Sequence, residues 1–402
     1  MYIFEKNKFC EREFICLVIR AAAGLLAVLL GVSCGPALWV SAAEPAEAVA
    51  VQAPSCILTD DRGTVLYEKN ADQKMPPASV TKIMTMLLVM EAIEGGELAL
   101  EDTVTASARA AGMGGSQIWL KEGEQFTVEE MLKCVAVVSA NDCCVALAEH
   151  IAGSETAFVA RMNARAQELG MFNTAFVNCC GLEAEGHYTT ARDIACMSAE
   201  LIRHEKIFDY TTIWMDTIRD GAFGLTNTNK MIRTYDGMLG LKTGYTSQAG
   251  YCLSGVAQRD GLRLIAVVLR GESSASRNSD VAALLNYGFA GYASVEFSPD
   301  QPLMPVPVVM GRQDCVPVRL ADSRSVLVEK RLLQGLEKQI ELAGSVEAPV
   351  RAGDVLGSFT VRGAGGGLLW QTDILADGDV EALSLLDLWG KLLEAAMLRR
   401  AA

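Results

Sequence analysis

Residues 76–82, with the sequence PPASVTK, restrict the fold of this chain more than any other stretch. The two prolines prevent a helix from running through them, because proline lacks a backbone N–H and disfavours the helical conformation in the residue before it. From residue 83 to 93 the side chains are apolar at nearly every position (IMTMLLVMEAI). A helix that is apolar on all sides is a buried one. We therefore expect Ser79 at the N-terminus of a buried helix, where free backbone N–H groups and the positive end of the helix dipole gather.

Ser79 and Lys82 are three residues apart, so on a helix they share one face and the lysine can reach the serine hydroxyl. A serine becomes an effective nucleophile when a base takes its proton. A partly buried lysine at the positive end of a helix has its charged form disfavoured and can be that base. The same spacing is also typical of an N-cap serine followed by a solvated lysine. The pair alone therefore leaves both interpretations open.

Composition excludes several classes of function. The net charge of −14 over 402 residues leaves no basic excess to neutralise phosphates, so we expect no nucleic-acid partner. The three histidines have no metal-ligand spacing, which argues against a zinc site or a histidine-based triad, and we expect no metal and no other cofactor. The twelve cysteines include no C-x-x-C pair and several lie in apolar runs, which favours buried thiols over a disulfide framework.

The first 43 residues have the pattern of an export signal. Basic residues precede an apolar run at 21–32, and small residues of the kind that a signal peptidase recognises follow at 40–43 (VSAA). A permanent N-terminal membrane anchor is the alternative. Cleavage as a lipoprotein at Cys34 is disfavoured by Gly31, which stands where a large aliphatic residue is expected. Either of the first two interpretations places the rest of the chain outside the cytoplasm, after a linker at residues 44–54 that is rich in Ala, Glu and Pro.

Residues 55–292 are predicted to form one α/β (α+β) domain. A hairpin at 55–68 precedes the Ser79 helix, and a capping box at Thr127 and Glu130 starts a later helix that breaks at residues 139–142 (SAND). Ser139 and Asn141 should therefore lie on a short turn between two helices. Two strong strands at 250–258 and 262–270 follow, and the sequence KTG at 242–244 is predicted to open the strand before them. An amphipathic helix at 277–292 closes the domain.

The C-terminal part of the chain has a different character. Short runs rich in Val and Leu, broken by Pro and Gly, predict a small all-β domain at 293–361, and the glycines at 363–367 predict a flexible break. An amphipathic helix is expected at 379–400. Its apolar stripe consists of Leu385, Leu386, Trp389, Leu392, Leu393 and Met397.

Charged residues interrupt this C-terminal helix, so it cannot span a bilayer but can lie in a membrane surface. Arg399 and Arg400 would add attraction to an anionic leaflet. We therefore expect an exported, peripheral protein on the outer face of the cytoplasmic membrane. Packing of the helix on the β domain or on a second subunit is the alternative.

Three short motifs occur in order on a helix start, an interhelical turn and a strand: Ser79-x-x-Lys82, Ser139-x-Asn141 and KTG at 242–244. This triplet is found in β-lactamases and penicillin-binding proteins. Over roughly residues 50–361 the chain resembles the low-molecular-mass penicillin-binding proteins, the serine-type D-Ala-D-Ala carboxypeptidases. Further matching stretches are 77–79 (PAS), 139–142 (SAND), 181–182 (GL), 187–188 (HY), 240–246 (GLKTGYT), 249–251 (AGY) and Arg277.

The resemblance implies a serine β-lactamase/transpeptidase-like catalytic domain, followed by the small β domain and the C-terminal amphipathic helix. It implies that Ser79 attacks the carbonyl between two D-alanines of a peptidoglycan stem peptide and forms an acyl-enzyme. Lys82 would take the serine proton, and Ser139 would relay a proton to the leaving amine. β-Lactam antibiotics would acylate the same serine and act as inhibitors.

The resemblance also implies a substrate-binding set. Its members are Asn141, Lys242, Thr243, Gly244, Tyr245 and Arg277. Asn141 would orient the substrate amide, and Lys242 would place a positive charge beside Ser139. Thr243 would hold the terminal carboxylate of the substrate.

Three further positions follow from the same resemblance. The backbone N–H groups of Ser79 and Tyr245 would form the oxyanion hole, since a tetrahedral oxyanion needs preorganised donors. Arg277 would support the substrate carboxylate. Thr228 departs from the pattern, because some relatives carry a second arginine there.

Two other functions use the same motifs. A serine β-lactamase needs a glutamate that activates the deacylating water, usually within Glu-x-x-x-Asn between the second and third motifs. Glu183, Glu185 and Glu200 lie in this interval, and none has Asn four positions on. An inactive scaffold protein that keeps the fold would have no need for the full set of motifs. The sequence therefore favours a carboxypeptidase over both alternatives.

Overall fold

The computed structural model of the protein describes residues 49–398. The predicted export signal, the first part of the predicted linker, and Arg399 and Arg400 lie outside these residues. In the last helix, the side chains at 391, 392 and 394–398 are also outside the description.

The helices of the described chain cluster in its first three quarters. They are α1 (Lys82–Glu94), α2 (Ala108–Ala111), α3 (Val128–Val137), α4 (Asn141–Ala152), α5 (Glu155–Glu168), α6 (Ala191–Leu201), α7 (Phe208–Thr211), α8 (Met231–Thr234), α9 (Ser274–Gly291) and α10 (Leu385–Leu398). Hydroxyl side chains at the N-caps of α2, α3, α5, α6 and α9 accept from the first turn of each helix. The predicted capping box of Thr127 and Glu130 is present at the start of α3.

The strands fall into a central sheet, small hairpins and a C-terminal group. They are β1 (Ser55–Asp60), β2 (Val65–Lys69), β3 (Thr103–Thr105), β4 (Gln125–Thr127), β5 (Met215–Ile218), β6 (Phe223–Thr226), β7 (Met238–Thr246), β8 (Gly250–Arg259), β9 (Leu262–Gly271), β10 (Tyr292–Val295), β11 (Val306–Val309), β12 (Cys315–Val316), β13 (Val318–Leu320), β14 (Val326–Glu329), β15 (Glu337–Leu342), β16 (Val346–Glu347), β17 (Val355–Arg362) and β18 (Leu368–Ala376).

The central sheet has the order β2-β1-β9-β8-β7, and all neighbouring strands are antiparallel. Strand β7 is therefore an edge strand, with one row of backbone groups facing away from the sheet. The prediction that KTG opens this strand was wrong: β7 begins at Met238, and residues 242–244 lie inside it, paired with residues 252–254 of β8.

Helices cover both faces of this sheet. Along β9, Leu264, Ala266 and Val268 pack in the cluster that contains α9, whereas the alternate residues Ile265 and Val267 pack in the cluster that contains α1, α3, α4 and α6. This alternation follows from the two-residue period of a strand. The α/β arrangement places α1 in the larger cluster, where its apolar surface is buried on all sides as the sequence predicts.

The stretch before β1 is packed rather than free. Within residues 49–54, the backbone N–H groups of Gln52 and Ala53 donate to the buried carboxylate of Asp280 on α9 at 3.0 and 2.8 Å. Lys69 Nζ donates to the carbonyl oxygens of Val51 and Ala53. The described end of the predicted linker is therefore part of the catalytic domain, because its backbone groups are bonded to that domain.

The β domain runs further than the sequence predicts. Strand β18 pairs with both β17 and β13, so the glycines at 363–367 form the turn of a hairpin instead of a break. Isolated bridges join Val350 to Val380 and Gly311 to Ala382. The predicted end of this domain at 361 was therefore wrong, and its strands and bridges extend to about Ala382.

The last helix, α10, begins at Leu385, later than the predicted start at 379, and four of its apolar side chains are exposed to solvent. Leu385, Leu386, Trp389 and Leu393 have exposed fractions of 78%, 84%, 66% and 57%. On its polar side, Asp387 pairs with Arg312 of the β domain at 3.2 Å. Across residues 49–398, no helix combines the length and the apolar character that crossing a membrane requires.

Candidate active site

The site begins at a single 3₁₀ turn, Ala78–Thr81, which runs directly into α1. Ser79 lies in this turn and is half-buried, and its hydroxyl caps neither the turn nor the helix. The N-cap interpretation of Ser79 is thus not what the structure shows. Instead, its Oγ lies 2.9 Å from Nζ of Lys82.

Lys82 is fully buried, with an exposed fraction of 0%, and its Nζ has three oxygen neighbours. These are Ser79 Oγ at 2.9 Å, Asn141 Oδ1 at 2.7 Å and the carbonyl oxygen of Cys180 at 2.8 Å. The last two are acceptors only. A neutral amine has two N–H groups and one lone pair, so when both N–H groups bind those acceptors, the lone pair faces the serine hydroxyl. This arrangement suits a base that takes the proton of Ser79.

Asn141 is the first residue of α4 and connects three parts of the site. Besides accepting from Lys82, its side chain donates through Nδ2 to the carbonyl of Gly114 at 2.7 Å. Its backbone N–H donates to the carbonyl of Ser116 at 2.7 Å. The loop at 114–116 is therefore held across the start of α4, beside the lysine.

Ser139 lies where the sequence predicts, on the short turn between α3 and α4. Its φ angle is +65°, a left-handed conformation that is uncommon for serine. Its Oγ is buried and has no hydrogen-bond partner among the described residues. Leaving a buried hydroxyl without a partner costs about 1–3 kcal/mol, so this atom is available to a ligand.

Lys242 is almost fully buried inside β7, next to Thr243. Its Nζ donates to the carbonyl oxygen of Thr243 at 3.1 Å. Thr243 Oγ1 in turn donates to Oγ1 of Thr228 at 2.8 Å. Thr228 is thus a neutral neighbour of the site.

Gly244 allows β7 to lie directly on the Ser79 turn. A Cβ atom at this position would lie 2.9 Å from the carbonyl oxygen of Pro77 and 3.1 Å from the backbone nitrogen of Ser79. Tyr245 follows on the rim of the cleft, exposed and stacked on Tyr251 with ring centroids 4.3 Å apart. The backbone of the edge strand therefore runs beside the serine.

Three cationic side chains, those of Lys82, Lys242 and Arg277, are buried in or next to this cleft. Burial, together with the nearby positive charges of Lys82 and Arg277, holds the pKa of Lys242 well below its usual range. Arg277 donates to the carbonyl of Cys252, the residue opposite Gly244, and to Asn278 Oδ1, and burial lowers its pKa. None of the three cations forms an ion pair with a carboxylate in residues 49–398. The cleft therefore contains basic groups that have no carboxylate partner, and an anionic ligand would stabilise their charged forms.

The loop at 178–182 supplies a contact that sequence reasoning missed. The carbonyl of Cys180 accepts from Lys82, and a backbone oxygen carries no residue-type signal that a sequence could show. Gly181 has a φ angle of +83°, and a Cβ atom there would overlap the carbonyl oxygen of Ala78. The loop therefore packs directly against the Ser79 turn, and only glycine fits at its closest point.

His187 links the segment before this loop to the Ser79 turn through two hydrogen bonds. Its Nδ1 accepts from the backbone N–H of Val177 at 3.1 Å, so its Nε2 carries the proton and donates to Thr81 Oγ1 at 2.9 Å. Burial lowers the pKa of His187 to about 4, which keeps the ring neutral near pH 7. Both ring nitrogens are thus occupied by structural contacts.

The cysteines of the described chain are free thiols, and most are buried. Two of them, Cys179 and Cys180, lie on the turn that contacts Lys82, and their Sγ atoms are 3.6 Å apart. Cys180 Sγ also donates to the carbonyl of Asn141 at 3.5 Å. The Cys180 thiol thus links this turn to the start of α4.

Two of the glutamates that a β-lactamase could use are occupied elsewhere. Glu200 pairs with Arg165 at 2.8 Å. Glu183 accepts from the backbone N–H of Gln248 at 3.0 Å and from Ser247 Oγ at 3.3 Å. Neither carboxylate contacts Ser79 or Lys82.

Comparison with known proteins agrees with this geometry. Residues 40–273 match the D-alanyl-D-alanine carboxypeptidase family, peptidase family S11, and residues 296–382 match the C-terminal domain of penicillin-binding protein 5. The second match ends where the structure ends the β domain. D-alanyl-D-alanine carboxypeptidase DacF of Bacillus subtilis is 41% identical over 83% of this chain and 86% of its own length.

Solved structures show the same likeness. Penicillin-binding protein 5 of Haemophilus influenzae superposes with a TM-score of 0.69 at 29% identity, over 83% of this chain and 98% of that chain. Penicillin-binding protein D2 of Listeria monocytogenes, in an ampicillin-bound form, gives a TM-score of 0.55 at 31% identity, over 60% of this chain and 99% of that chain. On its fold, its motifs and these matches, the chain belongs to the D-alanyl-D-alanine carboxypeptidase family.

Proposed function

We propose that the protein is a serine-type D-Ala-D-Ala carboxypeptidase that removes the terminal D-alanine from peptidoglycan stem peptides through an acyl-enzyme. The observation that carries this proposal is the environment of Lys82, whose amine has two fixed acceptors and the Ser79 hydroxyl as its third neighbour. Family membership supports the same activity. Covalent binding of penicillin follows, because a β-lactam offers the serine a reactive amide in place of the peptide.

In the acylation step, Ser79 Oγ forms a bond to the carbonyl carbon between the two D-alanines while its proton passes to Lys82 Nζ. The oxyanion that develops is held by the backbone N–H groups of Ser79, at a helix start, and of Tyr245, on the edge strand. The C–N bond then breaks, and Ser139 gives its proton to the leaving amine and receives the proton held by Lys82, so that both groups return to their starting states. Water later attacks the ester and releases the shortened stem peptide, returning the proton to Ser79.

The substrate carboxylate is placed by the positive charge of the cleft. Lys242 and Arg277 supply buried basic groups without carboxylate partners, and the substrate carboxylate stabilises their charged forms. Thr243 offers a hydroxyl that can leave Thr228 and bind the carboxylate. Asn141 holds the substrate amide beside the base. A free α-carboxylate is what distinguishes a chain terminus from an internal peptide bond, so these groups favour removal of a terminal residue.

The test compares two synthetic stem pentapeptides, one ending in D-Ala-D-Ala and one in D-Ala-D-Ala amide. We expect release of free D-alanine from the first and at least tenfold slower cleavage of the second, because the amide cannot pair with the cations. Penicillin should give a slowly hydrolysed adduct on the peptide that contains Ser79. Rapid turnover of nitrocefin without peptide cleavage would instead support a β-lactamase.

We also propose that the protein acts outside the cytoplasm and is held to the membrane surface through α10. Peptidoglycan stems lie outside the cytoplasm, and residues 1–43 have the pattern of an export signal. The exposed side chains of Leu385, Leu386 and Trp389 would each gain about 1.5–3 kcal/mol on full burial in an apolar environment. The polar side of α10 is already tied to the β domain through Asp387 and Arg312, which leaves the apolar side for the membrane.

Truncation after Ser384 tests this attachment, because it removes α10 and keeps the β domain complete, including the bond from Leu383 N–H to the carbonyl of Met310. We expect the truncated protein to lose most of its binding to anionic vesicles and to keep its penicillin labelling. A full-length variant with Leu386→Glu and Trp389→Glu is the matched control and should lose binding equally. Undiminished vesicle binding of both proteins would contradict the proposal, and a change from dimer to monomer on truncation would identify a second subunit as the occupant.

A further inference from the structure

The turn at 178–182 is in contact with the catalytic groups through its backbone. The carbonyl of Cys180 takes one N–H of Lys82 at 2.8 Å, and the carbonyl of Cys179 accepts from Thr85 Oγ1 on α1 at 2.7 Å. Gly181 lies against Ala78, next to the nucleophile. A shift of this turn would therefore move an acceptor of Lys82 without altering Lys82 or Ser79.

One side chain holds the turn in place. Oδ1 of Asn178 accepts from three consecutive backbone N–H groups, those of Cys180 at 3.1 Å, Gly181 at 2.7 Å and Leu182 at 3.1 Å. Its Nδ2 donates to the carbonyl of Leu182 at 2.9 Å. This network also fixes which end of the amide is oxygen, since only an oxygen can accept from three N–H groups. Because three N–H groups of the turn donate to Asn178, this side chain sets the orientation of the peptide group that contains the Cys180 carbonyl.

We propose that Asn178 is a positioning residue for the proton transfer from Ser79, acting through the Cys180 carbonyl. The inference rests on the proposed role of Lys82 as the base. Two fixed acceptors, Asn141 Oδ1 and the Cys180 carbonyl, hold both N–H groups of the neutral amine and leave its lone pair toward Ser79. If the carbonyl moves, the amine can turn about its Cε–Nζ bond and the lone pair no longer faces the hydroxyl. Displacement of a reacting group by about 1 Å can lower a rate about 100-fold.

The same loop offers a matched control. Asn163 on α5 holds the start of the loop in a similar way: its Oδ1 accepts from the backbone N–H of Phe176 at 2.9 Å, and its Nδ2 donates to the carbonyl of Phe176 at 2.8 Å. It has no contact with Lys82 or with the 180–182 turn. Removing its side chain should therefore lower stability without moving the acceptor of the base.

The experiment measures acylation by a fluorescent penicillin in the full chain under single-turnover conditions, which separates the dissociation constant of the non-covalent complex from the acylation rate constant. For Asn178→Ala we expect the rate constant to fall about 10- to 100-fold, with the dissociation constant changed less than about threefold. Asn178→Asp keeps an oxygen acceptor for the three N–H groups and should recover most of the lost rate. Asn163→Ala should acylate nearly as fast as the unaltered protein, even if its melting temperature falls as far as that of Asn178→Ala.

Two results would overturn the inference: an acylation rate in Asn178→Ala equal to that of Asn163→Ala, or no difference between Asn178→Ala and Asn178→Asp. If the alanine variant does not fold, Asn178→Ser, whose hydroxyl is too short to reach all three N–H groups, takes its place in the same comparison. Failure of the proposed function can be told apart from failure of this inference. If labelling persists in Ser79→Ala, Ser79 is not the nucleophile, whatever the Asn178 variants show.

Discussion

Ser79→Ala should abolish covalent labelling by penicillin and leave the protein folded. The hydroxyl caps no helix, and its hydrogen-bond contact in the structure is with Lys82 Nζ. Its loss therefore removes the nucleophile and costs about 1 kcal/mol of stability, which corresponds to a shift of a few degrees in melting temperature. Labelling is measured by gel fluorescence and intact mass, and stability by circular dichroism.

Ser116→Ala is the matched control for this variant. Ser116 is exposed, and it contacts the site through its backbone carbonyl, which accepts from Asn141. The control should label like the unaltered protein. Stoichiometric covalent labelling of folded Ser79→Ala would show that another residue is acylated and that the role proposed for Ser79 is wrong.

Lys82→Arg should lower the acylation rate by several orders of magnitude. An arginine stays protonated near neutral pH and cannot accept the serine proton. Loss of a general base alone lowers a rate about 10²–10⁴-fold. The wider guanidinium also cannot keep the three contacts of Nζ in a space with no exposed surface, so the hydroxyl loses its orientation as well. The measurement is the acylation rate constant with a fluorescent penicillin.

A second variant tests the same prediction in case Lys82→Arg does not fold, because the wider guanidinium must enter a fully buried space. Lys82→Met removes the base with a side chain of similar length, and it should show the same loss of acylation. Lys121→Arg, at an exposed lysine on a neighbouring loop, is the control and should acylate normally. Near-normal acylation in either Lys82 variant would identify another group as the base.

The sequence predicted the parts of the site that depend on residue type and local spacing. A run of apolar residues placed α1 in the core, and a three-residue interval placed Lys82 beside Ser79. The capping box and the break after it placed Ser139 between two helices and Asn141 at the start of the second. Each of these features is local, so no knowledge of the tertiary structure was needed.

Contacts made through backbone atoms could not be predicted in this way. The Cys180 carbonyl accepts from Lys82 because the chain returns to α1 about 98 residues later, and any residue type has a carbonyl. The bond between Thr243 and Thr228 likewise depends on how β7 lies beside a distant segment. The hydrogen bond from Lys242 to the carbonyl of Thr243 is also a backbone contact that no sequence pattern shows.

The sequence also predicted the ends of strands and of the β domain poorly. Glycines at 363–367 have the composition of a flexible segment, yet five residues are also enough to turn a hairpin, and only the pairing of β17 with β18 decides between the two. Strand β7 started earlier than its polar motif because Met238 and Leu241 continue the buried pattern. Strand pairing in the folded sheet, rather than composition, sets these limits.

The contact of Gly181 with the Ser79 turn has a consequence for inferring activity from the sequences of related proteins. A Cβ atom at this point would overlap the backbone of Ala78, so any other residue in place of Gly181 must displace either this loop or the turn that carries the nucleophile. A related chain that retains Ser79, Lys82, Ser139, Asn141 and KTG but lacks this glycine would pass a search for the catalytic motifs, and we expect it to acylate more slowly. Gly181 is therefore worth comparing beside the catalytic motifs when an enzyme is inferred from sequence.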